Sequence, residues 1–139
     1  VVPSPFRSLH HLGIAVPSLE EARPLYERLE GVSGSLPEEL PDQGVRVLFV
    51  GSVELLEPLG EDTPVGRFLR RRGPGLHHVA WAVEELAATL RVLEKEGFRL
   101  IDREPRRGAG GHRVAFIHPE STGGTLVELV EAPRSLPEP

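Results

Sequence analysis

The chain of 139 residues contains no cysteine. That absence excludes disulfides, zinc–thiolate centres and a thiol nucleophile, and leaves histidine and carboxylate as the donors for any transition-metal site. Methionine and asparagine are also missing, and glutamine and lysine occur once each, at Gln43 and Lys95. Such depletion of labile side chains fits a thermophilic source; the preference for Arg over Lys equally fits the base composition of a genome. No stretch nears the roughly 18 apolar residues of a membrane span. No secretory leader is evident, so a soluble, cytoplasmic protein is expected. The formal charge of −5 argues against a nucleic-acid partner, which calls for a basic face. It leaves room for a local basic patch facing an anionic small molecule. No Ser-His-Asp or nucleophile-elbow pattern is present. Gly108-Ala109-Gly110-Gly111 is followed by neither Lys-Ser/Thr nor a helix, so it is not a phosphate-binding loop. It reads instead as a place where the backbone turns close to a ligand.

What is present is a repeat. His10-His11-Leu12-Gly13-Ile14-Ala15-Val16 returns 67 positions later as His77-His78-Val79-Ala80-Trp81-Ala82-Val83. The same offset aligns Leu19 with Leu86, Gly44 with Gly111 and Phe49 with Phe116. Beyond the hairpins it becomes 74, matching Val53-Glu54-Leu55 with Val127-Glu128-Leu129 and Glu57 with Glu131. The seven added residues fall at the second hairpin, where loops tolerate insertion. Each copy reads β-α-β-β-β, a two-module pattern and not a solenoid. The expected organisation is one domain over 1–139, with modules at 9–58 and 76–132 and a linking helix within 59–75.

In the first copy, residues 1–8 read as an extended lead-in and 9–16 as a strand. Ser18 and Glu21 form a capping box for a helix from Leu19 to near Gly31, which Pro24 should bend or loosen locally. A short edge strand is expected over 32–36, a turn-rich connection over 37–44, and strands over 45–50 and 53–57. Gly51-Ser52, with Gly first, suits a type II′ hairpin. Thr63-Pro64 opens the linking helix, which carries Arg67, Arg70, Arg71 and Arg72 and stops at Gly73. In the second copy, strands are expected over 76–83, 98–101, 112–117 and 125–131, with a helix over 85–96. The tail from Pro133 reads as irregular.

Strand alternation puts His11, Gly13 and Ala15 on one face, and His78, Ala80 and Ala82 on another. In both copies the histidine side is small and the opposite side bulky, which leaves room for a ligand beside each imidazole. One strand histidine is commonly a hydrogen-bonded core residue; two at matched positions point to a shared centre. Glu54 and Glu128 are the second matched pair, each inside an apolar strand where a charge needs a cation or a strong donor. Two imidazoles and two carboxylates suit a six-coordinate divalent ion with two open positions better than a closed tetrahedral zinc site. Glu57 and Glu131, at strand ends, read as solvated. His10 and His77 should face away from the centre, with a structural or ligand-steadying part. His112 and His118 read as loop or strand-end residues.

Several stretches resemble the vicinal oxygen chelate superfamily. They include His11-Leu12-Gly13-Ile14-Ala15-Val16, Gln43-Gly44-Val45, Glu54-Leu55-Leu56-Glu57-Pro58 and Gly75-Leu76-His77-His78-Val79-Ala80. Asp102-Arg103-Glu104-Pro105, Gly108-Ala109-Gly110-Gly111, His118-Pro119-Glu120-Ser121-Thr122-Gly123-Gly124 and Val127-Glu128-Leu129 narrow the resemblance to its methylmalonyl-CoA epimerase family. The two glycine-containing loops carry most of that specificity, and the resemblance spans roughly residues 9 to 132. It implies an α+β fold, with paired βαβββ modules forming a cupped, barrel-like mixed sheet around one divalent metal. Carried over by motif, His11, His78 and Glu128 are ligands and Glu54 takes the fourth position. Cobalt comes first as the ion, with manganese, nickel, zinc and iron as the others. A homodimer is implied by the same likeness.

The implied reaction is epimerisation of methylmalonyl-CoA. The carbon-2 proton lies between two carbonyl groups, whose oxygens can chelate the ion. A base on one side of the planar enolate and an acid on the other complete the inversion. Glu54 and Glu128 are the candidate pair. Some family members place a separate Glu base on the strand corresponding to Val45–Val50, which has no acid here; either Glu54 serves both purposes or the base comes from elsewhere. Arg67, Arg70 or Arg71 could meet the coenzyme A phosphates, although a solvated helix face is the slightly preferred reading of that patch. The rivals are a glyoxalase or extradiol dioxygenase on the same scaffold, or a metal-free small-molecule-binding protein.

Overall fold

The computed structural model describes residues 4–132. The expected irregular tail from Pro133 lies outside them. The described residues form eight strands and three α-helices, the α+β class read from the sequence. The strands are β1 (Phe6–Ala15), β2 (Glu38–Leu40), β3 (Val45–Val50), β4 (Val53–Pro58), β5 (Gly75–Val83), β6 (Arg106–Arg107), β7 (Arg113–Ile117) and β8 (Val127–Glu131). The helices are α1 (Leu19–Glu30), α2 (Pro64–Arg72) and α3 (Leu86–Lys95). Among the described residues no helix is long and apolar enough to cross a membrane.

The chain divides into two compact units, His11–His78 and Val1–His10 with Val79–Pro139. These are not the two sequence repeats. The start of β1 goes with the second repeat, and the start of β5, including His78, goes with the first.

In the His11–His78 unit the strand order is β2-β3-β4-β1. β4 is antiparallel to β3 and parallel to β1, with Gly13 opposite Glu54. Residues directly opposite share a face, so His11, Gly13, Phe49, Glu54 and Leu56 lie on one side. On the other side Val16, Leu19, Leu48, Val50, Val53 and Leu55 pack with Ala22 and Tyr26 of α1. Each fully buried Leu or Val there contributes about 1.5–3 kcal/mol. Ser18 caps α1 as expected, accepting from the Glu21 amide at 3.2 Å. Gly51 has φ 57° and Ser52 is not left-handed, as a type II′ hairpin requires.

In the other unit the order is β5-β8-β7-β6, with β8 parallel to β5 and antiparallel to β7. Leu86, Leu90 and Leu93 of α3 pack on Val83, Ala115, Ile117 and Leu129. Phe6 joins this cluster, which explains why β1 begins earlier than hydrophobic alternation indicates.

Three expectations are corrected. No strand forms over 32–36; the edge strand is Glu38–Leu40, inside the segment read as a turn. Ser35 still meets β3, its amide donating to the Phe49 carbonyl and its hydroxyl accepting from the Phe49 amide. Pro37, with no amide hydrogen, stands between that contact and β2. Residues 98–101 make an isolated bridge, Leu100 to Ile117, and no strand; the Ile101 amide donates to the Phe116 carbonyl, but the Phe116 amide that would extend the ladder donates to Asp102 Oδ2 instead. Glu57 and Glu131 are not solvated strand ends. Glu57 Oε1 accepts from the Leu19 amide at 3.1 Å, and Glu131 Oε2 accepts from the Leu86 amide at 2.9 Å. Each satisfies an otherwise unbonded amide at the start of a helix and sits where the helix dipole favours negative charge.

Candidate metal centre

β1, β4 and the start of β5 bring three of the singled-out side chains together. His11 Nε2 lies 3.2 Å from His78 Nε2. Glu54 Oε1 lies 3.3 Å from each of those nitrogens. All three residues are buried, at 4%, 2% and 5% exposure for His11, His78 and Glu54. Three donor atoms therefore form a near-equilateral triangle with little access to water. Donors held about 2.0–2.2 Å from one divalent ion stand roughly 2.9–3.5 Å apart in tetrahedral or cis-octahedral arrangements. The spacing and the nitrogen–oxygen donor set both fit such an ion.

Gly13 makes the arrangement sterically feasible. A Cβ at that position would lie 2.1 Å from Cε1 of His78, 2.4 Å from its Nδ1 and 2.5 Å from its Nε2. The space that the small residue leaves on β1 is thus filled by the His78 ring, and not only by a prospective ligand. His11 lies edge-on to His78, with centroids 5.4 Å apart, and edge-on to Phe49 at 5.3 Å.

Glu128 is the fourth singled-out residue. It is buried on β8, opposite Ala80 of β5 and Phe116 of β7. The register repeats that of Glu54, which is opposite Gly13 of β1 and Phe49 of β3. In each copy the carboxylate thus lies opposite the residue two beyond the histidine.

The remaining histidines divide. His77 Nδ1 is 2.9 Å from His78 Nδ1, so it meets the cluster's ring although alternation sends it to the other face. His10 lies edge-on to His112 at 6.1 Å. His118 Nδ1 accepts from the Glu120 amide and caps a turn. Of the α2 arginines, Arg67 donates to the Asp62 carbonyl and Arg72 lies over the Phe68 ring. Arg70 borders a cleft of about 460 Å³, lined also by Pro17, Pro58, Leu59 and Leu69. Gly108 has a packing reason, since a Cβ there would stand 2.8 Å from Val114 Cγ1.

One carboxylate escaped sequence reading. Glu38 of β2 is opposite Val47, which is opposite Leu56, two residues from Glu54. Glu38 therefore shares the face of the His11–Glu54–His78 triangle. The signal was its place beside Pro37 on an edge strand, but its face follows only from the pairing register.

A duplicated βαβββ scaffold with imidazoles and a carboxylate meeting at one buried point defines an α+β class whose donor group could hold a metal ion. Residues 10–116 match the family model described as the glyoxalase/bleomycin resistance protein/dioxygenase superfamily. The ethylmalonyl-CoA/methylmalonyl-CoA epimerase of Cereibacter sphaeroides is 40% identical over 127 residues, covering 87% of this chain and 95% of that protein. The crystal structure of methylmalonyl-CoA epimerase from Mycobacterium tuberculosis superposes with a TM-score of 0.87 at 38% identity, covering 97% of this chain and 93% of the other. A methylmalonyl-CoA epimerase in complex with methylmalonyl-CoA and NH4+ gives 0.86 at 32% identity, covering 91% and 95%. The chain belongs to the glyoxalase/bleomycin resistance protein/dioxygenase superfamily and, within it, to the methylmalonyl-CoA epimerase family.

Proposed function

We propose that the protein epimerises methylmalonyl-CoA at carbon 2 with the help of a divalent ion. The observation that carries this reading is the buried triangle of His11 Nε2, His78 Nε2 and Glu54 Oε1. It is supported by relatives named for that activity, one of them solved with methylmalonyl-CoA bound. Glu128, the register counterpart of Glu54, is proposed as the fourth donor. Cobalt is the first candidate ion, ahead of manganese, nickel, zinc and iron. When bound, a divalent ion would act as a Lewis acid, drawing charge from the thioester and carboxylate oxygens of the substrate.

The chain's own part is to hold the substrate and move a proton. One carboxylate takes the carbon-2 proton on one side of the planar enolate, and another returns a proton on the opposite side. Glu54 and Glu128 are the proposed pair. Glu38 is the rival to Glu54, because a carboxylate beside a cation is held in its charged form and is a weaker base. Burial of the triangle keeps water from the reacting carbon. Arg70, at the border of the α2 cleft, is the proposed contact for the phosphate end of coenzyme A.

The test is deuterium exchange at carbon 2 of methylmalonyl-CoA in heavy water. Exchange should require divalent metal and collapse in Glu128→Ala. Full turnover in Glu54→Gln would make Glu54 a donor only, and loss in Glu38→Gln would then assign the base. Turnover of the hemithioacetal of methylglyoxal, without exchange of methylmalonyl-CoA, would make the enzyme a glyoxalase. Protein that carries no metal and is indifferent to chelator would overturn the metal-assisted reading.

A further inference from the structure

Two imidazoles that share one hydrogen bond carry one proton between them. His77 Nδ1 and His78 Nδ1 lie 2.9 Å apart, so one donates and the other accepts. If His77 donated, neutral His78 would hold its own proton on Nε2. That hydrogen would point at His11 Nε2 and Glu54 Oε1, and His78 could ligate nothing. If His78 donates from Nδ1, its Nε2 presents a lone pair to a cation held between it, His11 and Glu54. The direction of this one hydrogen bond therefore bears on whether His78 can serve as one of the donors.

We infer that His77 is a positioning residue, accepting from His78 Nδ1–H and so fixing His78 in the tautomer with a bare Nε2. This rests on the metal-centre reading and adds a function to a residue outside the triangle. His77 is itself held from behind. The Phe68 ring of α2 lies edge-on to it, with centroids 5.0 Å apart, and Arg72 lies over Phe68 at 5.7 Å from its centroid. The His78 ring is thus located on three sides: by His77 at Nδ1, by the His11 edge, and by the missing side chain of Gly13. Partners of this kind orient a ligating imidazole and raise its basicity. The repeat counterpart of His77 is His10, whose ring lies edge-on to His112.

The test is a cobalt(II) titration against a competing chelator, run on the wild type and on variants without substrate. His77→Phe keeps an aromatic ring against Phe68 but removes the acceptor, and should weaken cobalt(II) binding about 10- to 100-fold. His77→Asn, whose amide oxygen can accept, should recover most of the affinity. Unchanged cobalt affinity in His77→Phe would overturn the inference, and so would no recovery in His77→Asn. If His77→Phe fails to fold, His77→Asn against His77→Leu, similar in size but unable to accept, decides in the same way. A wild type that binds no cobalt would sink the metal-centre reading, whereas wild-type binding that is indifferent to His77 would sink this inference alone.

Discussion

The two repeats agree where a helix meets its strand and differ where a histidine meets its neighbour. In both, the last carboxylate of the returning strand accepts from the first amide of the helix, Glu57 for α1 and Glu131 for α3. In both, an arginine on the antiparallel neighbour pairs with that carboxylate: Arg46 with Glu57 at 3.6 Å, and Arg113 with Glu131 at 3.5 Å. The residue two beyond the histidine is where the copies part, Gly13 in one and Ala80 in the other. A methyl group fits at Ala80, which is fully buried, while at Gly13 it would overlap the His78 ring. Duplication thus preserved the frame in both copies and let the interior become asymmetric.

The sharpest way to break that comparison is to exchange the two small residues. Gly13→Ala should reduce cobalt(II) affinity by about 10- to 100-fold, since the ring of a proposed donor must move. It should also cost about 1–3 kcal/mol of stability by overpacking. Isothermal titration and chemical denaturation would measure the two effects. Ala80→Gly removes one buried methyl and loosens a strand, and should cost only about 1 kcal/mol with little change in metal affinity.

The capping carboxylates allow a finer test. α1 has Ser18 as well as Glu57, whereas no side chain of Glu85 caps α3. Glu131→Ala should therefore destabilise by about 1–2 kcal/mol in urea denaturation, and Glu57→Ala by roughly half as much. Equal losses would show that Ser18 adds nothing to the Glu57 contact.

The smallest expected effect concerns acid. Glu30 accepts from the Ser52 hydroxyl and amide, which holds its carboxyl below the ordinary 4.5. The corresponding position in the second repeat is Gly97. A carboxylate with a lowered folded-state pKa contributes stability above its unfolded value and loses it as pH falls through the folded one. Wild type should melt slightly above Glu30→Gln at neutral pH, and the gap should close as pH drops below 4.5. A gap that widens in acid would contradict this assignment.

The histidine–carboxylate positions could be read in the chain because they recur with strand alternation at a fixed offset, and periodicity is what a sequence displays most plainly. Side-chain partners that depend on how elements return to one another could not. Glu57 and Glu131 looked solvated because the helix start that each one meets is far away in sequence. Glu38 was hidden because its face is set by the pairing of a three-residue edge strand, not by its own neighbours. Alternation sends His77 away from the centre, but it fixes only where a side chain leaves the backbone and not where a ring nitrogen ends.

The placement of His78 in the same compact unit as His11 and Glu54 has a historical consequence. A lone βαβββ module carries one of the two histidines, so an ancestral single copy could not have closed the His11–Glu54–His78 triangle by itself. Pairing of modules had to come before these three side chains could meet. Only after fusion into one chain could a change at position 13 be selected without forcing the same change at position 80.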